Sequence, residues 1–383
     1  MQQYPFPVSY NEILERIDQI DPVQYATSRN FLDGAVTYLS PYISRGVISC
    51  HQIFQSLLSK GYTIDSCKKL IQELAWREYF QRVWQYLEDD IFKDIRKSYQ
   101  QIQHTRMPVS LLEASTGIIA IDKGIKALYE TGYMHNHIRM YTASITTNIG
   151  KAHWQIPSQW MYYHLLDGDI ACNTCSWQWV AGTFSTKKYF CNQENINKYT
   201  GTSQQHTYLD KSYDELPTMA VPPTLSKATS LQLKTSLPST TMPELDSSLP
   251  LLLYNSYNLD PLWHEDIEAN RILLLEPSHF NQYPVSEKVI DFIMGLSKNI
   301  PGLQVMTGEV KNIPGMQKFP AIYSKEHPLF KHYPGKKDER TWLFPEVNSF
   351  PDSFFSYWKK CEKTLLTDNK HYPVYNMNNK QVS

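Results

Sequence analysis

Apolar residues recur three and four positions apart through the first half of the chain. Over 64–88 the residues Leu70, Leu74, Phe80, Val83, Trp84 and Leu87 fall on one face, which predicts an amphipathic helix. Ile121, Ile125 and Leu128 repeat the pattern over 122–130, and Gly132 stands where a helix-ending glycine belongs. Ile138, Tyr141, Ile145 and Ile149 are in phase over 135–149. Almost nothing in residues 1–215 alternates at period two, so this region is expected to be all-helical. Residues 216–248 are rich in Ser, Thr and Pro and poor in aromatic residues, the composition of a linker. Beyond it, short apolar runs at 249–254, 271–276, 303–307 and 319–323 alternate with a helical pattern at 285–296. That alternation predicts a small doubly wound parallel α/β domain over 249–365, with a tail at 366–383.

Length and charge narrow the function. At 383 residues the chain has room for two domains and their cores, and six Cys fit a reduced protein without a disulfide framework. No apolar run approaches the ~20 residues that span a bilayer, and the N-terminus lacks the layout of a secretory signal. A cytoplasmic monomer with no membrane contact is expected. The formal net charge of −1 argues against coating nucleic acid through bulk electrostatics, and residues 1–200 carry 19 Lys+Arg against 18 Asp+Glu. Aromatic residues make up 13% of the chain, and several stand beside His, Asn and Asp in the helical half.

Three constellations could carry chemistry. In Glu73-Leu-Ala-Trp76-Arg77-Glu78-Tyr79, Glu73 and Arg77 share a helix face; taken alone, the pair reads as a solvated ion pair. In Thr131-Gly-Tyr133-Met134-His135-Asn136-His137-Ile138-Arg139-Met140, the residues Asn136, Arg139 and Met140 share one side of a helix, whereas His135 and His137 diverge and do not suit a metal. In Asp167-Gly168-Asp169 through Asn173 to Trp177-Gln178-Trp179, two carboxylates flank a glycine. Such a pair suits hydrogen bonding to ribose hydroxyls or ring N–H groups. Cys172-x-x-Cys175 lacks a thioredoxin-like setting and reads as two buried thiols. No metal is expected.

These strings, in this order and at these separations, resemble the FAD-binding domain of the DNA photolyase/cryptochrome family. Upstream, Tyr25-x-x-x-Arg29-Asn30 and Thr37-Tyr38-Leu39-Ser40-Pro41-Tyr42 resemble its flavin-phosphate loop, so the likeness covers about residues 20–200. The resemblance implies FAD as cofactor and a role for each matching position. Tyr25, Thr37, Leu39 and Ser40 would hold the pyrophosphate. Glu73 and Arg77 would line the cavity, and Asn136, Arg139, Asp167, Gly168 and Asp169 would contact the dinucleotide. Asn173 would face flavin N5. Trp76 and Trp179 would form aromatic walls for a pyrimidine dimer flipped out of DNA. Met140 would pack the dimer, Glu73 and Asn136 would hydrogen-bond its edges, and Arg29 would contact a phosphate. Trp177 and Trp154 would be the first two members of an electron-carrying tryptophan wire.

The implied activity is blue-light repair of cyclobutane pyrimidine dimers by electron transfer from reduced flavin. A cryptochrome-like photoreceptor that signals through a protein partner is the second reading, and a degenerate relative with an empty pocket is the third. The chain departs from the family pattern at Val36, Tyr133 and His137. Between Phe92 and Ile118 it has no Trp for the outer wire position, only Tyr99. Domain order also departs. The family places an antenna α/β domain first, whereas here a similar pattern over 249–360 follows the helical region, with 216–248 as tether. The expectation is that the exchanged domains dock in the family's usual way. No motif identifies an antenna pigment.

Overall fold

A computed structural model describes residues 6–96, 102–348 and 353–367. The helical region is built from α1 (Tyr10–Asp18), α2 (Pro22–Ser28), α3 (Ser40–Ser44), α4 (Cys50–Ser59), α5 (Ile64–Leu87), α6 (Val109–Leu112), α7 (Ile119–Thr131), α8 (Asn136–Ser144), α9 (Gln155–His164), α10 (Ile170–Ala181) and α11 (Gln193–Thr200). Local chemistry sets several boundaries. The Thr63 hydroxyl caps α5 by accepting from the Ser66 amide, and Asp169 caps α10 by accepting from the Cys172 amide. Gly132 ends α7 at φ +72°. A π-helical turn over Ile145–Ile149 continues α8, so the apolar periodicity read over 135–149 spans two helix types.

The segment 216–248 is tied to both halves of the molecule. After the short helix α12 (Pro223–Ser226), β2 (Ala228–Thr229) pairs with β1 (Met107–Pro108) of the helical region. The chain then runs along a sheet edge. Thr307 donates its amide to Thr240 Oγ1 and its hydroxyl to the Pro238 carbonyl, and Gln304 exchanges hydrogen bonds with Glu244. This strap covers backbone that would otherwise stand unpaired at an edge strand.

The α/β domain holds β3 (Leu251–Tyr254), β4 (Asn270–Leu275), α13 (Pro277–Gln282), α14 (Glu287–Ser297), β5 (Leu303–Thr307), β6 (Ile322–Lys325) and β7 (Lys336–Asp338). The sheet is parallel, in the order β5-β4-β3-β6-β7, a doubly wound arrangement whose switch point lies between β3 and β6. Central strands are apolar on both faces because both are covered. Leu252, Tyr254, Leu273 and Leu275 join a core continuous with the helical region, while Leu251, Leu253, Ile272 and Leu274 pack on the opposite side with Phe330 and Tyr333. β7 was not expected; as an edge strand reading Lys-Lys-Asp, it has no apolar face to betray it.

The last helix, α15 (Phe354–Thr367), packs against α5 of the helical region. The expected α/β domain over 249–365 therefore contains a final segment that belongs, in packing, to the other lobe. The tail from 368 on lies outside the described residues.

Candidate flavin site

The three motif strings come together because α10 packs against both α5 and α8, and the Ser44 end of α3 reaches the Asp167 carbonyl beside them. At Gly168, a Cβ would lie 3.0–3.1 Å from the carbonyl oxygens of Leu165 and Tyr162. Glycine there lets the turn between α9 and α10 close tightly enough to bring Asp167 and Asp169 inward. Both carboxylates are buried and both are paired. Arg139 Nη2 straddles the two Asp167 oxygens at 3.0 and 2.9 Å, while its Nε donates to the Met134 carbonyl. Asp169 accepts from Arg77 Nη2 at 3.1 Å, from Gln81 Nε2 at 2.8 Å on each oxygen, and from the Cys172 amide. The Ser44 hydroxyl accepts from Arg77 and donates to the Asp167 carbonyl, joining the two clusters.

The expected Glu73–Arg77 ion pair is not made. Each side chain finds a partner on another helix: Glu73 pairs with Arg29 at 3.0 Å, and Arg77 with Asp169. Burial alone would depress the Arg77 guanidinium, but the surrounding Cys172, Asp169, Cys50 and Asp167 raise it and hold it charged. Arg29 Nη2 is thus turned onto Glu73.

The upstream loop has the chemistry of an anion cradle. Tyr38 has φ +54°, a left-handed conformation uncommon for a bulky residue, and Leu39 after it is right-handed helical. Alternating left- and right-handed residues point successive N–H groups into one concavity. The half-buried Thr37 and Ser40 hydroxyls flank it and take no partner among the described residues. Tyr25, whose phenol is pushed up by burial and then by Glu73, lies under the Arg29 guanidinium. Tyr38 packs on Tyr133 with ring centroids 5.3 Å apart, and Arg139 lies 5.4 Å over the Tyr133 ring.

Asn136 sits exposed at the start of α8, its amide 4.0 Å from Met140 Sδ, as the helical spacing predicts. Asn173 donates Nδ2 to the Ser158 carbonyl, which leaves its amide oxygen as an acceptor. His135 and His137 are held neutral, each brought down to about 4 by burial, aided by neighbouring positive charge from Arg139 and Arg29. Cys175 is buried as expected and Cys172 is half-buried; both thiols are pushed well up by burial, then by Asp169. Trp177 and Trp154 are buried in one core, and Trp154 Nε1 donates to Asp94 at 2.7 Å. Tyr99 lies outside the described residues.

Two aromatic residues expected to face a substrate have neighbours of their own. Trp76 is stacked on Phe354 of α15, centroids 3.5 Å apart and planes 9° from parallel, so one of its faces is covered. Trp179 meets Tyr189 at 5.7 Å. Phe354, Gln81 and Ser44 were missed by sequence reasoning. Gln81 alone left a signal, since it continues the Glu73–Arg77 face at the same four-residue spacing.

The donor set fits a flavin dinucleotide: a backbone nest with free hydroxyls for a pyrophosphate, paired carboxylates and amides for ring and ribose edges, and aromatic surface beside them. A cavity of about 210 Å³ lies where α4 and α5 face the α/β domain and shares Ser44, Arg77, Gln81 and Asp169 with this site. It is lined by Arg77, Gln81, Asp169, Lys325, His327 and Arg340 among others, and by none of Tyr25, Thr37, Ser40, Asn136 or Asn173. Among the described residues, no group of three or more His, Cys, Asp or Glu is placed to hold a metal, and no helix is long and apolar enough to cross a membrane.

Part of the chain is similar to known proteins. Residues 70–222 match the model of the FAD binding domain of DNA photolyase. A deoxyribodipyrimidine photo-lyase of Alkalihalophilus pseudofirmus is 30% identical over 161 residues, covering 41% of this chain and 34% of that protein. One from a Synechococcus species is 28% identical over 205 residues, covering 50% and 42%. The chain thus spans about a third to two fifths of the length of these curated relatives. Among solved structures, a Synechocystis cryptochrome is similar at 23% identity and a TM-score of 0.47, over 51% of this chain and 44% of that one. The upstream loop at 25–47 precedes the residues matched by the family model. Over residues 70–222, this chain is similar to the FAD binding domain of DNA photolyase.

Proposed function

We propose that this protein repairs cyclobutane pyrimidine dimers in DNA, using FAD and blue light. The observation that carries the reading is the pair of buried clusters Arg77–Asp169 and Arg139–Asp167, joined through Ser44, in the region similar to the FAD binding domain of DNA photolyase. FAD, when bound and reduced, would supply the light-driven electron. The chain's own part is geometric and electrostatic. The nest at Tyr38–Leu39 with Thr37 and Ser40 binds the pyrophosphate. Asp167 and Asp169 orient the ring and ribose edges. Arg139 would place positive charge beside the cofactor, and the Asn173 side-chain oxygen would be available as an acceptor toward it. Trp76, Trp179 and Met140 pack a flipped dimer, and Glu73 and Asn136 meet its polar edges. Trp177 and Trp154 carry electrons inward.

The test is repair of a thymine-dimer oligonucleotide under blue light after chemical reduction of the yellow holoprotein. Absence of repair by fully reduced, FAD-loaded protein refutes the assignment. A second reading, a cryptochrome-like photoreceptor signalling through a protein partner, is favoured by the occupied faces of Arg29 and Trp76. It is the outcome if the protein is yellow and photoactive but leaves dimers intact. A colourless protein that cannot be loaded with FAD refutes both.

A further inference from the structure

We propose that Arg340, a residue of the C-terminal half, positions the Asp169 carboxylate by locking the side-chain amide of Gln81. Arg340 Nη1 donates to Gln81 Oε1 at 2.7 Å, and Gln81 Nε2 donates to both Asp169 oxygens at 2.8 Å. The orientation of this amide is forced by chemistry. A guanidinium can only donate, so the oxygen end of Gln81 must face Arg340; a carboxylate can only accept, so the nitrogen end must face Asp169.

Arg340 is itself held on two further sides. Its Nε donates to Glu326 Oε2 at 2.7 Å, and its guanidinium lies 4.7 Å over the Trp342 ring. Gln81 is 8% exposed and Asp169 4%, so both are largely shielded from bulk water. The relay Glu326–Arg340–Gln81–Asp169–Arg77 therefore runs from the end of β6 to the flavin-side carboxylates along the wall of the interdomain cavity. Without Arg340, Gln81 is free to rotate and to present its oxygen to Asp169, replacing an attraction with a repulsion. The docked state of the α/β domain is thereby felt at the carboxylate. This inference rests on the reading that Asp169 faces FAD, and the experiment separates the two.

The full-length holoprotein is compared with Arg340→Met, Arg340→Lys, Gln81→Leu, the double variant Arg340→Met/Gln81→Leu, and Asp169→Asn. FAD affinity is read by fluorescence titration, and the reduction midpoint of bound flavin by equilibration with a redox dye. Loss of a hydrogen bond that orients a charged group should weaken FAD binding about tenfold in Arg340→Met and in Gln81→Leu. Both should move the midpoint to more negative values, since the carboxylate charge is less neutralised. The double variant should be no worse than either single one, because both act through one contact. Arg340→Lys, which can still donate to Oε1, should recover most of the loss. Wild-type affinity and midpoint in Arg340→Met, or full additivity in the double variant, overturns the relay if Asp169→Asn shows a defect. If Asp169→Asn binds FAD with unchanged affinity and midpoint, the reading beneath it fails instead. Should Arg340→Met not fold, Gln81→Leu and Arg340→Lys decide by the same two readouts.

Discussion

Replacing Asp167 by Asn keeps the shape of the flavin-side pair and removes its charge. Arg139 then faces an amide that offers one acceptor oxygen and, on the other side, a donor. The Asp167 side chain is 4% exposed and that of Arg139 22%, so water can compensate little. Breaking one partner of a buried ion pair costs about 3–5 kcal/mol. The partial exposure of Arg139 and the retained acceptor place this case near the lower end, at about 3 kcal/mol. With an unfolding entropy of about 2.1 cal/mol/K per residue, 383 residues correspond to ~0.8 kcal/mol/K, which gives a fall of about 4 °C in Tm. The assay is thermal unfolding with and without saturating FAD, beside Asp260→Asn as control. Asp260 pairs with Lys325 at the same 2.9 Å, but at 26% exposure, and its loss should cost under about 1 kcal/mol. If Asp167→Asn melts within a degree of wild type, or no lower than the control, burial does not decide the worth of this pair.

Trp76→Ala should abolish binding of dimer-containing DNA while FAD remains bound, measured by gel shift and flavin absorbance; unchanged repair would show that Trp76 does not line the substrate pocket. Phe354→Ala should free the covered face of Trp76 and raise affinity for the dimer several-fold, at a stability cost of about 3 kcal/mol for emptying a buried ring; unaltered affinity would place that face outside the substrate path. Acid should destabilise the protein through His135 and His137. Their folded pKa values of about 4 lie below the ordinary 6.5, so the unfolded chain takes up protons first. Their contribution is complete above pH 6.5 and is lost as pH falls towards 4. Tm measured against pH should decline across that window, and less steeply in His135→Gln/His137→Gln. A variant profile as steep as wild type would assign the decline to other groups.

Elements set by local periodicity were legible in the sequence. The helix read over 64–88 is α5 at Ile64–Leu87, and the apolar runs at 249–254, 271–276 and 303–307 are β3, β4 and β5 to within a few residues. The fourth run, at 319–323, was read early. Its strand begins at Ile322, because the Gly315 turn and a short helical turn at Met316–Lys318 precede it. The site was legible to the extent that its residues stand in short strings with distinctive spacing. What could not be read were pairings between distant positions. Glu73 and Arg77 satisfy a local rule for an ion pair, yet Arg29 and Asp169, 44 and 92 positions away, win because they offer more buried partners. Phe354 and Arg340 reach α5 from more than 250 positions along the chain, and no local pattern marks either of them.

α5 is where both halves of the molecule meet, and its faces explain how a chain with its α/β domain last can still build one core. Glu73, Arg77 and Gln81 look toward α2 and α10, the flavin side. A second face carries Trp76 and Tyr79, covered by Phe354 and Tyr357 of α15. A third carries Glu78 and Arg82. The buried Glu78 carboxylate accepts from the amides of Leu343 and Phe344 and from the Tyr357 hydroxyl. Its pKa is raised by burial, with those three donors working against the rise. Arg82 lies 3.6 Å over the Trp342 ring. A carboxylate buried this deeply is tolerable only when its lone pairs are met, and here every donor comes from the segment that follows the sheet. That segment is therefore bound to α5 by directional contacts as well as by apolar packing. Directional contacts fix the register of Arg340 against Gln81 and of Phe354 against Trp76 in a way that apolar burial alone would not. The same clamp thus sets both the support behind Asp169 and the cover over Trp76.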